Sequence, residues 1–203
     1  MKATINTREF NRLIAATKAF VNVHGARPLF KLIKLEFSAK NKRVTAVALD
    51  GFRMAVENAA LAECDEDFIA YIGGNIKLPS RKDVYAQIEL QGNRLIVDCE
   101  GLIYGCVQPA IEGFDWGKVV PRSDVRYKIA FNGDLLLSAL RAAKISCGGK
   151  YSQYITLEFR GPLEPIVLRT NEEDIKLIMP IRICPEPPKE EEQQTNESPT
   201  FQL

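Results

Sequence analysis

Two groups of carboxylates have the types and spacing that could hold a divalent cation: Asp98 with Glu100, and Glu172, Glu173 and Asp174. Hydrolysis of a phosphodiester by bound metal would need such a pair. Both groups fall beside expected turns, where solvated carboxylates are common, and the single histidine, His24, gives them no support. The five cysteines, Cys64, Cys99, Cys106, Cys147 and Cys184, show no CxxC spacing, so free thiols are expected and neither a zinc site nor a disulfide framework. The residue types therefore predict no catalytic residue, no metal and no cofactor. Two methionines sit next to or near arginines, Met54 beside Arg53 and Met179 near Arg182. Alternation in strands predicts core packing for the same methionines.

The elements that position these residues follow from periodicity. Ala3 and Ile5 begin a strand, Asn6 or Thr7 caps a helix, and Phe10, Leu13, Ile14, Thr17 and Phe20 form its apolar face up to Gly25 and Pro28. Arg8, Arg12 and Lys18 fall largely elsewhere on that helix. Strands are predicted at Leu32–Phe37, Val44–Leu49, Met54–Ala59, Asp67–Ile72, Tyr85–Leu90, Arg94–Asp98 and Ile103–Gln108. Two glycines and Pro79 leave room for at most a turn of helix between Gly73 and Asp83, and Pro109–Arg122 reads as an irregular connection. A second strand–helix–meander unit follows: strand Tyr127–Ala130, a cap at Asn132 or Gly133, and helix Asp134–Lys144 with Leu136, Leu137 and Leu140 inward. Gly148-Gly149 stops that helix, and strands Tyr154–Phe159, Pro165–Thr170 and Ile175–Pro180 complete the unit.

The chain has 203 residues, 27 basic and 26 acidic, a balance that argues against a strongly basic nucleic-acid binder. The balance conceals a gradient. From Cys184 onward there are five acids and one base, so residues 1–183 carry 26 bases and 21 acids. That terminal stretch is rich in Pro, Glu, Gln and Ser and is expected to be disordered, with Phe201 and Leu203 able to serve as a short docking peptide. The first ten residues contain no apolar signal-peptide core, and no run is long enough to span a membrane, which predicts a cytoplasmic protein.

Three separated stretches together resemble the bacterial DNA polymerase III beta subunit, the sliding-clamp family. Val44 to Ala55, VTAVALDGFRMA, is similar to its strand–turn–strand with a D-G-H-R-L-A pattern. Glu112 to Pro121, EGFDWGKVVP, is similar to its D-G-x-F-P-D-Y-x-x-V-[IL]-P linker. Leu163 through Ile183 with its leading proline, PLEPIVLRTNEEDIKLIMPIRI, is similar to its C-terminal strands. The helix Arg8–Phe20 and the sequence FNGDLLLSALRAAK also match clamp helices. The chain departs from the family in three ways. Phe52 stands where His is usual, the Phe-Pro-Asp step lacks its proline, and only a middle domain, short of most of its second helix, and the latter half of a last domain are matched.

The resemblance implies an α+β protein of the DNA-clamp fold, antiparallel sheets with one helix per unit, about one and a half clamp domains. The expected divisions are a middle-type clamp domain at 1–122, a half domain at 123–183 and the acidic tail at 184–203. Such clamps are not enzymes: they encircle duplex DNA and receive partners by a Gln-Leu-rich peptide in an apolar pocket. Carried over, the pocket comprises Leu32, Leu49, Gly51, Phe52, Arg53, Met54, Lys118, Val119, Leu177, Met179, Pro180 and Arg182. Candidate DNA contacts are Arg8, Arg12, Lys18, Arg81, Lys82, Arg141, Lys144 and Lys150, reading phosphates without sequence preference. The implied partners are duplex DNA, DNA polymerase or other proteins bearing clamp-binding peptides, and further copies of the chain. Four chains would match the half-domains of a full ring. A peptide-binding module that competes with a host clamp without forming a ring is the alternative.

Overall fold

Apolar residues recurring along the strands give each sheet a buried face that packs into a hydrophobic core. The computed structural model describes residues 1–81, 83–111, 113–147 and 154–182, and it divides into two compact units, Met1–Pro121 and a second beginning at Arg122. In the first, β1 (Lys2–Asn6) leads directly into α1 (Thr7–Lys18), where the Asn6 side chain accepts a hydrogen bond from the Arg8 amide at 3.0 Å. Such a cap satisfies one of the amides a helix start leaves unpaired. Thr7, Phe10, Leu13, Ile14 and Thr17 are the buried stripe of α1. Phe20, expected within the helix, lies just beyond its end but still packs against the core.

The strands β2 (Ile33–Ser38), β3 (Arg43–Leu49), β4 (Met54–Ala60) and β6 (Phe68–Ile72) form one antiparallel sheet in the order β4-β3-β2-β6. A second sheet is ordered β5-β1-β7-β8-β9, with β5 (Glu63–Cys64), β7 (Tyr85–Gln91), β8 (Arg94–Cys99) and β9 (Leu102–Val107). Each half of the unit therefore lends its first strand to the other half's sheet: β1 pairs with β7, and β6 pairs with β2. One core runs through both halves, including Ile5, Phe10, Ile33, Leu35, Phe68, Ile88 and Leu95. Burying side chains of this size contributes roughly 1.5–3 kcal/mol each.

Where the second half would place its own helix, residues 73–84 contain none, apart from Lys82, which lies outside the described residues. The segment is fixed to α1 instead. Asn11 donates to the Leu78 carbonyl at 2.8 Å and accepts from the Leu78 amide at 2.9 Å, so one side-chain amide imitates a strand neighbour. The Thr7 amide adds a bond to the Val84 carbonyl at 3.0 Å, and Leu78 is buried. Single 3-10 turns occur at Pro28–Lys31 and at Trp116–Lys118, the latter inside the stretch expected to be irregular.

The second unit is α2 (Gly133–Ser146) over a sheet ordered β10-β11-β12, from β10 (Thr156–Glu158), β11 (Ile166–Arg169) and β12 (Ile175–Ile178). Asn132 caps α2, accepting from the amides of Asp134 and Leu135 at 2.9 and 3.2 Å. Its core is small: Ala143, Ile166, Leu168 and Ile178, with Phe131, Leu136, Ala139, Leu140 and Ile155 packed against them. Three expectations are corrected in this unit. Tyr127–Ala130 is not a strand, since it forms one isolated bridge, Ala130 to Ile181. A lone strand without a ladder on either flank is not stable. Leu137 is not inward but 46% exposed, because Leu136, Leu140 and Ala143 already fill the face that α2 turns to the sheet. The predicted strands Tyr154–Phe159 and Ile175–Pro180 shrink to β10 and β12. The expected helix stop, Gly148-Gly149, lies outside the described residues, as do Glu112 and the acidic tail.

Candidate docking and DNA-facing surfaces

The turn between β3 and β4 is built by Asp50. Its Oδ1 accepts from the amides of Phe52 and Arg53 at 3.0 and 2.9 Å, and its own amide donates to the Arg53 carbonyl at 3.1 Å. Gly51 sits at φ +94°, where a side chain is strained, and a Cβ there would touch the Phe30 ring at 3.4 Å. The tight turn leaves Phe52 97% exposed. Behind it Leu49 pairs directly with Met54. Leu32 precedes β2 on the row that continues the Lys34–Val47 pairing toward Leu49. Leu32, Leu49 and Met54 thus share one end of the sheet face turned away from α1.

Arg53 is engaged by its own chain. Its guanidinium donates to Asp50 Oδ2 at 2.7 and 2.9 Å and to the Ala19 carbonyl at 3.0 Å, and it lies over the Phe20 ring at 5.1 Å. The guanidinium bond, aided by the two amides, holds the Asp50 carboxyl below the usual range. Arg53 therefore ties the hairpin to the end of α1, a positioning role rather than that of a free donor. From the segment after β9, Lys118 and Val119 are both exposed, with Lys118 3.6 Å from Asp115.

In the second unit Leu177 and Met179 are 63% and 65% exposed, on the face of β12 opposite buried Ile178. Pro180 is half-buried and Arg182 exposed. The first unit thus presents an exposed Phe52 beside half-buried Leu32, Leu49 and Met54, and the second presents exposed Leu177 and Met179.

The candidate DNA contacts divide by their employment. Arg12 is held by Glu9 at 2.9 Å, Glu57 at 2.8 Å and the Asn58 carbonyl at 2.5 Å, and its pKa is raised by these acids. Arg8 and Lys18 are exposed on α1, the Lys18 stem lying against Gly74. Arg81 is exposed while its carbonyl accepts from Thr7 Oγ1 at 3.4 Å. Arg141 and Lys144 are exposed on α2. Lys82 and Lys150 lie outside the described residues.

Sequence reasoning missed what covers the outer face of the β4-β3-β2-β6 sheet. Buried Lys34 donates to the Phe114 carbonyl at 2.8 Å and pairs with Glu36 at 2.6 Å, and Trp116 Nε1 donates to Glu36 at 3.0 Å. An open groove of about 600 Å³ beside Trp116, Arg43, Thr45 and Ile69 occupies the end of the sheet opposite Met54. A Lys-x-Glu alternation followed far along the chain by Trp gave only a weak signal for this.

The carboxylates considered for metal have structural duties. Asp98 accepts from the Gly101 amide at 3.3 Å in a turn, and Asp174 accepts from Asn171 at 2.9 Å. Among the described residues no three or more of His, Cys, Asp and Glu come together in a group that could hold a metal ion. Cys64, Cys99, Cys106 and Cys147 are free, and burial raises the thiol pKa of the first three. No helix among the described residues is long and apolar enough to cross a membrane.

A βαβββ half and a second half that lacks its helix among the described residues, exchanging their first strands and followed by one more helix-bearing half, define a shortened DNA-clamp fold. The chain has the fold of the DNA polymerase III beta sliding clamps. The beta chain from Streptococcus pneumoniae TIGR4 is similar over 90% of this chain and 50% of its own, with a TM-score of 0.73 and 16% identity. A sliding clamp from Pseudomonas aeruginosa bound to griselimycin is similar over 89% and 50%, with a TM-score of 0.74 and 16% identity. The Helicobacter pylori beta clamp bound to a DNA ligase peptide is similar over 89% and 65%, with a TM-score of 0.61 and 11% identity. Neither the family models nor the curated proteins match the sequence. The chain thus spans half to two thirds of the clamps it matches.

Proposed function

We propose that this is a non-enzymatic, sliding-clamp-like protein that docks short peptides of polymerases and repair factors and, as an oligomer, retains duplex DNA without reading its sequence. The observation that carries the reading is the clamp fold itself, shared with chains solved with a ligase peptide and with griselimycin. The docking residues are, in the first unit, Leu32, Leu49, Gly51, Phe52, Met54, Lys118 and Val119, with Arg53 holding the hairpin. In the second they are Leu177, Met179, Pro180 and Arg182. An exposed aromatic, Phe52, near the adaptable Met54 in the first unit, and an exposed Met179 in the second, favour apolar peptide anchors, since a few such contacts can carry most of a binding energy. Phosphate contacts come from Arg8, Lys18, Arg81, Lys82, Arg141, Lys144 and Lys150. Arg12 contributes less because two carboxylates neutralise it. Function in DNA replication in the cytoplasm belongs to the same proposal.

Fluorescence anisotropy of a labelled Gln-Leu-type peptide tests the docking part against wild type, Met54→Ala and Met179→Ala. Each substitution is expected to weaken binding about tenfold, and unchanged affinity in both would overturn it. Retention on closed circular DNA, lost on linearisation, tests encirclement. Peptide binding without retention would favour the competitor reading.

A further inference from the structure

The first unit shows what a complete domain of this kind requires. There β1 has a neighbour on each side: the chain leaving β4, where the Ala62 amide donates to the Thr4 carbonyl at 2.8 Å, and β7. Its counterpart β6 is treated alike. The Gln108 amide, on the chain leaving β9, brackets Tyr71 at 2.7 and 3.1 Å, and β2 lies on the other side.

The second unit has the first of these contacts and lacks the second. The Ile181 amide, on the chain leaving β12, donates to the Ala130 carbonyl at 2.8 Å. Ala130 precedes the capping Asn132 by two residues, as Thr4 precedes the capping Asn6. Among the described residues, no strand pairs with the other flank of this segment, and the outer edge of β10 is likewise unpaired. Two complementary edges are open in one small unit.

We infer that this half-domain is closed by a second copy of itself, each copy laying its residues 127–131 antiparallel along the β10 edge of the other. This gives the assembly part of the proposed function a specific contact and rests on that part alone. The arrangement is isologous: both open edges are satisfied by one twofold axis. The register follows from the first unit. Counting back from the β10–β11 turn as from the β7–β8 turn sets Ile129 against Leu157, as Ala3 stands against Ile88. It sets Lys128 against Glu158 where Lys2 stands against Glu89 with an ion pair of 3.4 Å. Glu158 already holds Arg160 and Arg169 at 2.6 and 2.7 Å, so the apolar row, not the charge, carries the contact.

The exposed apolar residues are where this closure needs them. Tyr127, Leu157 and Phe159 are 51%, 40% and 46% exposed on the edges to be joined. Leu137, at 46%, occupies on α2 the position that Asn11 occupies on α1, where the side chain holds the other half of its domain through Leu78. Together with Ile129 they offer on the order of 400–500 Å² per copy, and backbone pairing adds to it, against roughly 800 Å² per partner in a standard stable interface.

The full-length chain is tested by mixing isotopically heavy and light protein at about 50 µM, a concentration at which a contact of this size should hold, then cross-linking and sequencing the joined peptides. Heavy–light links joining residues 125–131 to residues 154–160 are the expected result. Sedimentation should show a dimer or a multiple of one, and both Leu137→Arg and Tyr127→Glu should weaken association at least about tenfold with unchanged circular dichroism. These two side chains are already exposed, so the fold of the monomer does not depend on them. A monomeric wild type would overturn this inference and the oligomer reading together. An oligomer indifferent to both substitutions, with links elsewhere, would overturn this inference and leave encirclement standing.

Discussion

The two units solve the same packing problem with different amounts of chain. The first has two halves, each lending a strand to the other, and a continuous core of large buried side chains. The second has one half, and among the described residues its buried core cluster is Ala143, Ile166, Leu168 and Ile178. Both helices begin on an asparagine cap and bury the same stripe: Phe10, Leu13, Ile14 and Thr17 in α1 correspond to Leu136, Ala139, Leu140 and Ala143 in α2. The difference lies beside that stripe, where Asn11 finds Leu78 and Leu137 finds solvent. Local sequence makes a half-domain; only a second half makes its surface polar.

The contrast can be broken most severely in the first core. Leu13→Ala should destabilise the first unit by about 2–5 kcal/mol, whereas Leu137→Ala should cost the isolated monomer under about 1 kcal/mol, both read by chemical denaturation. Equal losses would mean that the exposure of Leu137 has been misjudged. Next in size is Asn11→Ala, which leaves the backbone of Leu78 unpaired and should cost about 1–3 kcal/mol, with faster amide exchange confined to residues 73–84. Exchange unchanged there would show that the bonds from Thr7 and from Tyr104 to the Lys77 carbonyl hold the segment without Asn11.

Gly51→Ala should cost about 1 kcal/mol because of the positive φ, and it should weaken peptide binding through the displaced hairpin. The Asp50 carboxyl sharpens the same site by pH. Its pKa is depressed in the folded protein, so its contribution is fully present above the ordinary carboxylate value and is lost as pH falls through the lower folded value. Amide shifts of Phe52 and Arg53 should therefore titrate below the ordinary range, and Asp50→Asn should abolish that transition. The smallest effect concerns the acidic tail: deleting residues 185–203 should strengthen binding of an added Gln-Leu-type peptide a few-fold, as expected if a tethered segment competes for the same residues.

Much of this was legible because strands and helices announce themselves by period. The α1 stripe, helix starts at Asn6 or Thr7 and at Asn132 or Gly133, and the β3–β4 turn at Asp50-Gly51 all follow from residue order, and the structure selects Asn6 and Asn132 as the caps. The failures share one cause. A strand at Tyr127–Ala130 and an inward Leu137 are what a whole domain would require, and alternation reports which face is apolar, not whether anything covers it. Side chains that imitate backbone, Asn11 on Leu78 and Gln108 on Tyr71, leave no period at all. The partners that engage Arg12 and Arg53, Glu57 and the Ala19 carbonyl, come from other elements and leave no local pattern in the sequence either.

The open edge of β10 also makes the second unit's stability a matter of mass action. A domain closed by a second chain is more stable the more protein there is, by an amount that grows with the logarithm of concentration. The first unit, closed within one chain, should melt at a temperature indifferent to dilution. Diluted far enough, the protein would keep one domain at full stability while the other falls back on the small core of a single copy, so its abundance would decide how firmly that second unit is held.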